Sequence, residues 1–119
     1  MKQVFRFALA ALAVSAVLTG PARAAGDAAR GKLAFTKYGC WQCHGFEGQG
    51  SVATSNGKVL AHEPPPWEGF SAYVRSSNTA MPPYSGKVLP DHDLEDIYAY
   101  LTSLPKPKDY KSIPLLANP

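Results

Sequence analysis

Two cysteines stand in this 119-residue chain, Cys40 and Cys43, and a histidine, His44, directly follows the second. Two intervening residues let both thiols of one tight turn reach the neighbouring vinyl groups along one edge of a haem. The next residue is then carried beneath the ring, where its imidazole can bind the iron. Cys40-Trp41-Gln42-Cys43-His44 therefore reads as the attachment motif of one covalent haem c, with Cys40 and Cys43 as thioether anchors and His44 as proximal iron ligand. Two other chemistries use paired cysteines. A redox dithiol expects a βαβ context, which the sequence pattern lacks. A zinc site needs a second Cys or His pair at ligand spacing, and none follows.

A haem held in this way takes a second axial ligand from elsewhere in the chain. Beyond Met1 the sequence has one methionine, Met81, and apart from His44 it has two histidines, His62 and His92. His92 sits among acids at the polar start of a helical pattern and reads as a solvated residue. His62 lies in a long loop without supporting context, and on sequence grounds it stays a candidate. Met81 is followed by Pro82 and Pro83, whose fixed φ angles stiffen the loop that would present the thioether. Imidazole and thioether are both neutral, and the soft sulfur favours ferrous iron, so His44/Met81 ligation would raise the reduction potential. With both axial positions filled, neither oxygen nor peroxide has easy access to iron, which is the chemistry of an electron carrier rather than an enzyme.

The elements that must position these groups are helical. Residues 27–39 read as a helix of three turns, with Asp27 as N-cap, Ala28, Gly31 and Phe35 on one face, and Gly39 as stop. Glycine inside a helix is costly, so Gly31 points to the close approach of another backbone. From Gly45 to Pro66 there is no helical or strand period. A loop of this length fits a compact domain if it packs on a cofactor. Trp67, Phe70, Tyr73 and Val74 then follow at helical spacing. Leu94, Ile97, Tyr98, Leu101 and Leu104 mark the buried face of a last helix, with Asp91, Asp93 and Glu95 at its N-terminal dipole end. The expected fold is all-α, three to four helices with long loops and no sheet.

The ends and the charge balance set the context. Residues 1–24 read as a secretory signal peptide: a basic start at Lys2 and Arg6, an apolar run from Phe7 to Leu18, and Ala22-Arg23-Ala24 before Ala25. The apolar run is short of the roughly 20 residues that cross a bilayer, so no membrane span is expected after cleavage. Residues 25–104 form the expected domain and 105–119 a Pro-rich tail. Removing the signal takes Lys2, Arg6 and Arg23 with it, leaving nine basic residues against nine acidic ones. Such a balance excludes a basic field for nucleic acid or an anionic membrane.

With these residues in view, the chain resembles the class I c-type cytochromes of bacteria over nearly all of residues 27–104. Gly31 and Phe35 match the family's N-terminal helix, and Ile97, Tyr100 and Leu101 match the C-terminal helix that crosses it. The resemblance implies a cytochrome c fold wrapped around one haem, the two helices meeting near right angles with Gly31 at the crossing and Tyr100 against it. It also implies Cys40, Cys43 and His44 as attachment and proximal ligand, and Met81 in Met-Pro-Pro-Tyr as distal ligand. In one place the pattern differs. Family members commonly carry Gly-Pro after the haem motif, the proline carbonyl accepting a hydrogen bond from the proximal histidine. Here the matching pair is Gly57-Lys58, and a lysine carbonyl can accept the same bond.

The expected function is one-electron transfer in the periplasm, as part of a respiratory chain, with redox proteins as partners: a periplasmic dehydrogenase as donor and an oxidase or reductase as acceptor. Trp41 and Gln42 would ring the exposed haem edge. The chain would be a monomer or a subunit of a hetero-complex. The main alternative is a dedicated cytochrome subunit bound to a dehydrogenase, since Tyr-Leu-Thr-Ser-Leu-Pro and the tail look like such subunits. A second alternative is a haem enzyme or gas sensor in which Met81 can be displaced.

Overall fold

A computed structural model describes residues 26–51 and 57–117. The expected signal peptide, residues 1–24, lies outside the described residues. Among the described residues five α-helices run in the order α1 (Ala28–Lys37), α2 (Trp41–His44), α3 (Trp67–Ser76), α4 (Asp91–Ser103) and α5 (Pro114–Ala117), with a 3₁₀ turn at Tyr110–Ser112. Among the described residues the sole β pairing is an isolated bridge between Ser51 and Gly57. The architecture is all-α, as the sequence pattern anticipates. Among the described residues no helix is long and apolar enough to cross a membrane.

Local chemistry explains where α1 begins and ends. The Asp27 side chain accepts from the Arg30 backbone N–H at 2.8 Å, satisfying one of the free donors of the first turn. The chain leaves the helix at Tyr38, and the next residue, Gly39, has φ +76°. Pro66 and Pro90 precede α3 and α4, where a missing N–H costs nothing. Asp91 and Asp93 in the first turn of α4 complement its dipole.

Helices α1 and α4 pack directly on one another. A Cβ on Gly31 would lie 1.9 Å from the Asp96 carbonyl oxygen and 2.8 Å from the Tyr100 Cβ, so the two backbones meet at this glycine. Phe35 and Tyr100 extend the contact as a tilted ring pair 5.8 Å apart. Around it lie Ala34, Phe70, Val74, Leu89, Leu94, Ile97 and Leu101, which complete the buried apolar core. Trp67, Phe70 and Tyr98 form a second aromatic cluster, with the Trp67 and Tyr98 rings edge-on at 5.4 Å.

The Pro-rich last segment contains short helical turns. The Asp109 carboxylate accepts from the Lys111 N–H at 3.0 Å and starts the 3₁₀ turn, and Pro114 opens α5 at the one helical position that suits it.

Candidate haem site

The tight turn α2 presents the chemistry-bearing residues. The His44 and Gly45 N–H groups bond to the Cys40 and Trp41 carbonyls at 3.0 and 2.9 Å, so the cysteines and the histidine ride on a single helical turn. Cys40 is half-buried against the core and Cys43 is exposed. Burial pushes the Cys40 thiol up to about 11, so at neutral pH it is protonated. A redox-active dithiol needs the opposite shift. Among the described residues no group of three or more His, Cys, Asp or Glu side chains converges on a point that would hold a metal ion.

His44 is oriented from behind. Its Nδ1 lies 2.8 Å from the Lys58 carbonyl oxygen. A carbonyl can only accept, so Nδ1 carries the proton and Nε2 keeps a free lone pair for a metal. The neighbouring Gly57 makes the approach possible, because a Cβ there would sit 1.7 Å from the Cys43 carbonyl oxygen. The long loop is held in place by backbone bonds from Leu60 and Ala61 to the Gly48 carbonyl, at 2.7 and 2.9 Å, and from Gly50 to the His44 carbonyl at 2.7 Å.

Another part of the cavity lining comes from the segment between α3 and α4. Met81 is half-buried against the core, and its N–H reaches the Thr79 hydroxyl at 3.4 Å. Thr79 in turn shares hydrogen bonds with the Tyr73 hydroxyl at 2.7 Å and the Ser77 hydroxyl at 3.1 Å. Hydrogen bonding of the Tyr73 hydroxyl within this Ser77 and Thr79 cluster lowers its pKa. Three residues past Met81, Tyr84 is fixed at both ends: its N–H donates to Val74 O at 2.8 Å and its hydroxyl to Tyr38 O at 3.1 Å. Burial raises the Tyr84 pKa and keeps that hydroxyl protonated as a donor.

These segments border a cavity of about 760 Å³. Cys40, Cys43, His44 and Met81 all line it, together with apolar side chains of α1, α3 and α4. A mostly apolar hollow of this size within the core is the kind of space a flat macrocycle fills. Two thiols at its edge, one imidazole with a free Nε2 and one thioether match the donors a covalent haem requires. Neither other histidine lines it. The His62 N–H donates to Leu101 O at 2.9 Å, its φ is +57°, and its Nδ1 is buried without a partner. His92 is exposed and pairs with Asp93 at 3.1 Å.

A family model described as cytochrome c oxidase, cbb3-type, subunit III matches residues 26–101. The chain belongs to this family of c-type cytochrome domains. No curated protein and no solved structure matches it. The cytochrome domain carries covalently bound haem c and serves haem-based electron transfer, and the matched residues hold α1, α2, α3 and nearly all of α4.

Some groups that shape the site carry no signal that the sequence pattern resolved. Arg75 donates from Nη1 to Tyr84 O at 2.9 Å and to Leu89 O at 2.7 Å, and from Nη2 to the Asp91 carboxylate at 2.5 Å. Asp96 is buried in the middle of α4, where it accepts from the Asp27 N–H at 2.6 Å and from Arg30 Nε and Nη2 at 2.7 and 3.1 Å. A buried aspartate in a helix interior, where this residue is a poor former, is the clue that it has a cationic partner.

Proposed function

We propose that the chain is a periplasmic monohaem electron carrier whose haem is attached through Cys40 and Cys43 and ligated by His44 and Met81. The observation that carries this reading is that one cavity is lined by all four residues, with His44 Nδ1 committed to Lys58 O and its Nε2 therefore free. Haem supplies one-electron exchange between ferric and ferrous iron. The protein's own residues do the rest. Cys40 and Cys43 fix the ring edge, Lys58 O orients the imidazole, and Thr79 and Tyr84 bracket the loop that brings the Met81 thioether to the other face. Ligands that are neutral on both faces hold the potential high. With residues 1–24 acting as an export signal, 25–104 form the cytochrome domain.

Carbon monoxide tests the ligation. The ferrous protein is expected to bind it poorly, and Met81→Ala to bind it readily; equal binding by both would remove Met81 from the site. Gel filtration of a native periplasmic extract, followed by haem absorbance, tests the role. Elution as a small free protein fits a diffusible carrier.

A second reading makes the chain the cytochrome subunit of a dehydrogenase complex. It is favoured by the tail, where Leu115 is 90% exposed and Leu116 is 55% exposed on α5. Co-elution of the haem with a larger polypeptide would select it.

A further inference from the structure

We infer that Arg75 is a positioning residue for the Met81 thioether, acting through the backbone of the loop between α3 and α4; the inference rests on the proposed His44/Met81 ligation. Residues 77–90 contain no helix and no strand; short turn bonds, such as those from the Val88 and Leu89 N–H groups to Ser85 O, and bonds from outside the segment hold its shape. Pro82 and Pro83 lack N–H groups and remove two donors immediately after the methionine. What fixes the far side of the loop is the guanidinium of Arg75, projecting from the last turn of α3. Its Nη1 donates to the carbonyls of Tyr84 and Leu89, and its Nη2 to the Asp91 carboxylate in the first turn of α4. The Arg75 side chain is half-buried where it meets the two carbonyls, whereas the Asp91 side chain is 86% exposed.

The arrangement ties three points together: the end of α3, the limb of the loop that follows Met81, and the start of α4. A guanidinium suits this because its donors form a planar fork that reaches separate acceptors at once, whereas an ammonium concentrates its donors at one point. With Arg75 in place, Tyr84 is held through its N–H, its carbonyl and its hydroxyl. Met81 is three residues upstream across two stiff prolines, so fixing Tyr84 fixes where the thioether can lie. Without the guanidinium, the Tyr84 and Leu89 carbonyls lose a charged donor, and the loop gains conformations in which sulfur is away from the haem face.

An external ligand for ferric iron reads this directly, because its apparent affinity scales with the fraction of protein whose distal position is open. Imidazole titration of the full holoprotein is the experiment. Met81→Ala should bind imidazole more tightly than wild type. Arg75→Ala should bind it about tenfold more tightly than wild type, as expected if most of one charge-assisted hydrogen bond is lost from the closed state. In the double variant Arg75→Ala/Met81→Ala the Arg75 effect should vanish, since no thioether remains to be positioned.

Arg75→Ala binding imidazole as wild type does, or an Arg75 effect that persists undiminished beside Met81→Ala, overturns the role. If Met81→Ala itself binds no more tightly than wild type, the ligation reading has failed and the Arg75 role falls with it. Should Arg75→Ala not yield folded holoprotein, Arg75→Lys carries the same test. Tighter binding than wild type that disappears beside Met81→Ala supports the role, and wild-type binding overturns it.

Discussion

The Nδ1–H of His44 donates to the carbonyl oxygen of Lys58 at 2.8 Å. This one bond selects the imidazole tautomer, leaves Nε2 free and makes the ring a better donor to any metal it meets. It uses backbone, so the identity of the side chain at position 58 is secondary. What matters is that the backbone can come this close, and Gly57 is the residue that allows it.

Gly57→Ala should disturb the site more than Lys58→Ala. The added methyl would meet the Cys43 carbonyl oxygen at 1.7 Å, so the 57–58 backbone must retreat and the His44 bond must lengthen. A more weakly polarised imidazole favours ferric iron less, and the reduction potential should rise. Stability should fall by about 1–3 kcal/mol, as for other overpacked sites. Potentiometry and denaturant unfolding of the two variants check this; Lys58→Ala should leave both quantities near wild type.

Gly31→Ala sets two effects against each other. Replacing a helical glycine with alanine ordinarily gains about 1 kcal/mol. Here the new Cβ would lie 1.9 Å from the Asp96 carbonyl oxygen, a backbone atom that cannot swing aside. Overpacking of about 1–3 kcal/mol should therefore win, and the variant should be less stable by denaturant unfolding. A gain in stability would mean that α1 and α4 separate more easily than their packing implies.

The attachment turn, the methionine loop and the α1–α4 crossing were legible in the sequence because each leaves a local mark. Cys40, Cys43 and His44 lie within five residues, Met81 is followed by two prolines, and Gly31 interrupts a helix at a position that otherwise favours alanine. The Gly57-Lys58 pair was legible by resemblance, and the carbonyl expected to accept from His44 is the one bonded to it. Asp96 and Arg75 left no comparable mark. Asp96 meets Arg30, 66 residues away, and follows three acids that read as helix-dipole residues. Arg75 acts on the Tyr84 and Leu89 carbonyls, which every residue has, and on the Asp91 carboxylate across the whole loop, so no local pattern of residue types reveals its partners.

Asp96 gives the acid side of the stability profile. The Arg30 guanidinium bonded to it, with the Asp27 N–H in support, holds its carboxyl below the usual aspartate value despite burial. A depressed folded-state pKa contributes stability that is fully present above the unfolded value of about 3.9 and is lost as pH falls through the folded one. Denaturant unfolding from neutral pH down into the acid range should show this loss. Asp96→Asn should be less stable at neutral pH and should have a shallower acid slope. An unchanged slope would place the acid sensitivity elsewhere.

Docking should be governed by contact more than by charge. With residues 1–24 removed as the proposed export signal, nine basic residues would balance nine acidic ones. Beside the attachment turn, Trp41 and Phe46 stack at 4.6 Å, and Phe46 is 66% exposed. The rate of electron exchange with a physiological partner should change little between low and physiological salt, because a near-neutral surface provides little long-range steering. Stopped-flow rates across ionic strength measure it, and a steep dependence would point to a charged patch that dominates the encounter.

The tail separates the two proposed roles. In residues 110–117 the 3₁₀ turn and α5 pack on each other, and Leu115 and Leu116 are left facing solvent. The core residues and the cavity lining all lie at or before Leu104. Deleting residues 107–119 should therefore leave the covalent haem, its spectrum and its unfolding midpoint close to those of the full chain. If the chain is a free carrier, partner reduction rates should also survive the deletion. If it is a subunit, the truncated protein should lose co-elution with its large partner while keeping an intact haem site, which would assign the two exposed leucines to the joint.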